Sequence, residues 1–86
     1  MTDCKLIAKK YLKTLSDDEI EELSKHPDFE YEEKWIIYYT YAKKRYVANT
    51  CMKLGISEPQ FFNLIREALT KVYYIKDLKN YIVLDK

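Results

Sequence analysis

Apolar residues recur along the chain at three- and four-residue spacing, the period of an α-helix with one buried face. Leu6, Ile7, Tyr11, Leu12 and Leu15 follow it with lysines between them, which predicts an amphipathic helix from Asp3 to Leu15 capped by Thr2 or Asp3. Ser16 with Glu19 three residues later reads as a capping box, and Asp17, Asp18 and Glu19 put negative charge where the helix dipole favours it. This second helix is short, buries Ile20 and Leu23, and is predicted to end before Pro27. Asp28 is the expected cap of a third helix that starts at Phe29 and runs through Trp35 towards Arg45. Its stripe of Trp35, Tyr38, Tyr39, Ala42 and Tyr46, widened by Ile36 and Ile37, is read as core packing rather than as a platform for stacked bases. A break near Lys43 to Arg45 is expected from the motif that follows, with one long helix over 29–54 as the alternative.

The densest signal lies between Val47 and Val72. Leu54, Gly55, Ile56 and Ser57 read in turn as a helix end, a left-handed C-cap, an apolar staple and an N-cap. Gln60 completes a capping box with Ser57, Phe61 stands where it pairs with Ile56, and Pro59 falls in the first turn, where its missing N–H is harmless. Two helices joined by so short a turn form a helix-turn-helix. Cys51, four residues before Gly55, is expected as a small buried group at their contact, and Phe61 and Leu64 as the apolar side chains packed on it. A second apolar line, Phe62, Leu69 and Tyr73, is expected to pack on the N-terminal helices or form a subunit interface. The tail 81–86 has β propensity at Tyr81 to Leu84 but no partner strand; pairing with a copy, irregular packing and extension of the last helix all stay open.

With 86 residues, one Gly and two Pro, the chain fits one all-α domain, a bundle of about five helices, better than a sandwich or barrel rich in tight turns. No apolar run reaches membrane-spanning length and the first residues lack a signal-peptide pattern, so a cytoplasmic protein with no membrane partner is expected. Cys4 and Cys51 are too few and too far apart for a disulfide framework or zinc knuckle. No Gly-rich phosphate loop, metal-ligand spacing or nucleophile beside a base is present in the sequence; neither an enzyme nor a bound cofactor is expected, and His26 is given no role. Net charge is +1, but residues 1–40 carry six Lys against ten acids and residues 41–86 nine Lys or Arg against four. Any nucleic-acid surface is therefore expected in the basic helix-turn-helix region at 41–80 rather than in the acidic helices at 1–40.

The stretch from Lys34 to Val72, with its aromatic-rich helix, the turn at Leu54 to Ser57, the paired Phe61 and Phe62, and Ala68 with Leu69, resembles the promoter-reading fourth region of bacterial sigma factors. It is more similar to small phage transcription regulators of the ArpU and RinA type. Thr50 and Cys51 stand where such proteins often have Ile-Ala, and Lys43 to Arg45 lack the usual Gly. The resemblance implies a DNA-binding transcription regulator of phage or prophage that places its second motif helix in the major groove. Docked that way, Gln60, Asn63 and Arg66 are the expected base readers and Lys43, Lys44, Arg45, Lys53 and Lys71 the expected phosphate contacts. Glu58, near the groove entrance, opposes phosphate. A homodimer would suit two-fold related half-sites. The alternatives are an all-α adaptor for RNA polymerase or another phage protein, and a terminase small-subunit-like DNA recognition protein.

Overall fold

Start and stop signals in the sequence set most helix boundaries, and the computed structural model describes residues 4–80 as five α-helices with no strand among them. α1 is Cys4–Leu12, α2 Asp17–Ser24, α3 Tyr31–Ile37, α4 Val47–Leu54 and α5 Glu58–Ile75. α3 continues into a π-helical turn at Tyr38–Ala42, and a 3-10 turn at Leu78–Asn80 follows α5. The tail 81–86 and the Thr2 or Asp3 cap lie outside the described residues.

The Ser16 capping box forms as expected: the Glu19 N–H donates to Ser16 Oγ at 3.2 Å and the Ser16 N–H to Glu19 Oε1 at 2.8 Å. The Ser16 N–H, and after it the Ser16 hydroxyl, hold the Glu19 carboxyl below its ordinary pKa. The first helix is shorter than its apolar pattern suggests and stops at Leu12. Thr14 and Leu15 close tighter turns onto Tyr11 and Leu12, and the Thr14 hydroxyl donates to the Tyr11 carbonyl. The third helix starts two residues late. Phe29 is buried just ahead of it, and Glu30 rather than Asp28 flanks its start, with the Glu30 N–H donating to Glu33 Oε1 at 2.8 Å.

The aromatic stripe is the main correction. Ile36, Ile37 and Ala42 point into the core, while Trp35 is 37% exposed and Tyr46 81%. A helix of one-sided burial can turn only one arc inwards, and the two isoleucines occupy it. Tyr38 and Tyr39 sit half-buried at its edge.

Two apolar clusters result. The larger joins Ala8 and Leu12 of α1, Ile20 and Leu23 of α2, Ile37 and the inner face of α5 at Ala68, Leu69 and Val72, with Leu78 closing over it. The smaller joins Ile36, Cys51 and Phe61, with Leu54, Ile56 and Leu64 packed around them. Ile65 touches both clusters, so α5 is the spine of the molecule. Glu33, only 1% exposed, pins α3 to α5 by accepting from Lys71 Nζ at 2.6 Å.

Candidate nucleic-acid interface

The expected break at Lys43 to Arg45 exists, and it is made without a glycine. The Lys43 N–H returns five residues to the Tyr38 carbonyl and the Arg45 N–H six residues to Tyr39. Lys44 takes the left-handed conformation, φ 54°, that this wide closure demands. Such a φ costs a side-chain-bearing residue about 1 kcal/mol.

The α4–α5 turn follows its caps closely. Gly55 is left-handed at φ 66°, and the N–H groups of Gly55 and Ile56 both reach the Cys51 carbonyl. Ser57 and Gln60 form the reciprocal capping box that opens α5, with Pro59 in its first turn. Behind the turn, Cys51 and Phe61 pack on Ile36, so the hairpin is fastened to α3. Burial, and then the Glu58 carboxylate, push the Cys51 thiol above its ordinary pKa, which fits a packing group.

Gln60, Asn63 and Arg66 are all exposed along the N-terminal half of α5. They are not equally available. Gln60 Oε1 accepts from the Ser57 N–H at 2.9 Å, so bidentate pairing with adenine would require it to leave the cap. Arg66 Nη2 donates to Asn63 Oδ1, which joins these two into one polar unit.

The expected phosphate contacts divide into three groups. Lys43 lies over the Tyr38 ring at 5.6 Å, and Arg45 and Lys53 over Tyr39 at 5.6 and 5.9 Å. Tyr39 in turn stacks on Trp35 at 5.4 Å between centroids. These three cations, drawn from the linker and from α4, therefore gather at one aromatic patch. Lys44 belongs to a different feature, a groove of about 790 Å³ that Arg66 also lines. Lys71 joins neither, because its ammonium is tied to Glu33. That hydrogen bond is the main reason its pKa lies above the ordinary lysine value.

The groove also contains what sequence reasoning missed. Lys5 and Lys9 of α1, and Lys13 just past its end, line it together with Lys44 and Arg66. Cutting the chain after residue 40 assigned those lysines to an acidic half, whereas folding lays α1 along α5 and returns them to the basic region. Their spacing of four residues was visible in the sequence; which helix they would face was not.

Among the described residues, no group of three His, Cys, Asp or Glu is placed to hold a metal ion, and no helix is long and apolar enough to cross a membrane. No family model, curated protein or solved structure matches the chain.

Proposed function

We propose that the protein is a small sequence-specific DNA-binding regulator that inserts the first turns of α5 into the major groove. The observation that carries this reading is the α4–Gly55–α5 hairpin, which presents exposed Asn63 and Arg66 on α5, with Lys44 of the linker lining the same groove as Arg66. Polar side chains on the N-terminal half of a second motif helix suit base edges, and cations on the preceding helix and linker suit phosphate. Once their mutual hydrogen bond is exchanged for base edges, Arg66 reads guanine and Asn63 adenine, each worth about 1–3 kcal/mol of discrimination. Gln60 serves first as the cap. Lys43, Lys44, Arg45 and Lys53 supply sequence-independent attraction, and Lys71 has a structural role instead. A homodimer on a two-fold site and a phage origin belong to the same proposal.

Selection of bound sequences from a random duplex pool tests it. A recovered consensus, relaxed at separate positions by Asn63→Ala and Arg66→Ala but merely weakened throughout by Lys44→Ala, is the expected result. Retention of duplexes without any consensus would refute sequence-specific reading.

A further inference from the structure

The groove between α1 and α5 combines two properties that duplex DNA does not need together. Its floor is apolar and exposes a large side chain from each wall: Leu6 of α1 at 50% and Phe62 of α5 at 46%. Its rim is cationic. Lys5, Lys9 and Lys13 follow one edge at four-residue intervals, about 12 Å in all at the helical rise. Lys44 and Arg66 also line it, and Asp17 is the one acid among its described lining residues.

We propose that this groove binds an acidic amphipathic helix of a partner protein. Its apolar stripe would lie on Leu6 and Phe62, and its carboxylates, repeating at the same four-residue interval, would face the lysine row. A phosphate backbone would answer the cations but leave the two apolar side chains against a charged, hydrated surface. An acidic helix satisfies both features, in the helix-in-groove mode of recognition. Two turns of helix half-sunk in a groove displace on the order of 500 Å³, from a diameter of about 10 Å and a length of about 12 Å. The groove's 790 Å³ accommodates that. Exposed ion pairs contribute little affinity singly, so the charges set orientation and partner choice while the apolar contacts hold the helix. Because Lys44 and Arg66 are shared with the proposed DNA face, helix and duplex would exclude each other. This competition rests on the DNA-binding reading; helix binding does not.

The test uses the full chain and a labelled helical peptide with Leu at i, i+3, i+4 and i+7 and Glu elsewhere, beside a peptide of the same composition with Leu spread around the helix. Fluorescence anisotropy at low salt is expected to show micromolar binding of the first peptide and at least tenfold weaker binding of the second. Phe62→Gln, and separately Lys9→Glu with Lys13→Glu, each weaken the first at least tenfold with helical circular dichroism retained. Equal binding of both peptides, or indifference to both sets of substitutions, would overturn the proposal. So would peptide binding that emerges only when residues 81–86 are removed, which would assign the groove to the chain's own end. A dimer that Phe62→Gln dissolves, with no peptide binding, would assign it to a second copy and equally overturn the proposal. Duplex binding without peptide binding refutes the groove proposal alone; peptide binding without duplex binding supports it and refutes the DNA reading alone.

Discussion

Replacing Lys71 with methionine keeps most of the side chain's bulk but leaves the Glu33 carboxylate buried without its cation. Glu33 is 1% exposed and retains one hydrogen bond, from the Glu30 N–H. Removing one member of a buried ion pair costs about 3–5 kcal/mol, because the remaining charge has lost its water and its partner. The lysine end of this pair is partly open to solvent, so water can follow it in and the cost falls to about 2–4 kcal/mol. A chain of 86 residues has roughly 4–13 kcal/mol of stability in total, so the loss is a large share. Urea unfolding followed by far-UV circular dichroism reads it as a lower midpoint at unchanged slope. The double variant Glu33→Met with Lys71→Met should recover to within about 1 kcal/mol of the parent, since two apolar side chains pack where a paired charge stood. A single variant within about 0.5 kcal/mol of the parent, or a double variant whose loss is the sum of both singles, would refute the claim that this pair pins α3 to α5. Under conditions where it is folded, Lys71→Met should bind duplex DNA like the parent. Weakened binding would return Lys71 to the phosphate contacts.

Four further outcomes follow from local geometry. Lys44→Gly should stabilise the protein by about 0.5–1 kcal/mol relative to Lys44→Ala, because only glycine adopts the left-handed φ of 54° without strain. Gly55→Ala should cost about 1 kcal/mol by the same physics, since a Cβ there meets no neighbour and the φ of 66° alone opposes it; equal stability of either pair by urea midpoint would contradict this. Stability should decline at alkaline pH: burial raises the Tyr41 hydroxyl to about 12 and the Glu33 contact raises Lys71, so both favour folding below their unfolded pKa values near 10. That contribution is lost as the pH climbs through the folded values. For half-buried Tyr41 the loss is on the order of 1–2 kcal/mol between about pH 10 and 12, and flat unfolding midpoints over that window would contradict it. Cys51 should resist a thiol reagent until the chain unfolds, whereas rapid labelling under native conditions would show that the α4–α5 contact opens.

Much of the fold was legible because several helix starts are written by short-range chemistry. Ser16 with Glu19, and Ser57 with Gln60, are complete within four residues, and both form. Gly55, the one glycine in the chain, needs no partner beyond its own turn. What was not legible depends on distant neighbours. Ile36 packs with Phe61 and Ile37 with the α1–α2 layer, which leaves Trp35 at the surface. Nothing within residues 29–46 announces this. Lys44 in a left-handed conformation goes against local preference, and the widened π-helical turn that requires it has no sequence signature of its own. Lys71 has the same composition signal as Lys43 or Lys53, and its pairing with Glu33, far away in sequence, separates it from them. The α1 lysines were obscured by the same limit: charge summed along the chain is not charge summed over a surface.

Salt dependence of duplex binding tests the proposed function most directly. Four cations, Lys43, Lys44, Arg45 and Lys53, in contact with phosphate give a slope of log K against log salt near −3.6, about a hundredfold loss between roughly 50 and 200 mM. The Lys5, Lys9 and Lys13 row would steepen it if it also met the backbone. A slope of about −3 or steeper, reduced by roughly one in Lys44→Ala, is the predicted result. No duplex binding at micromolar protein and low salt, or a slope near zero, would contradict it and leave a protein-binding adaptor as the better reading.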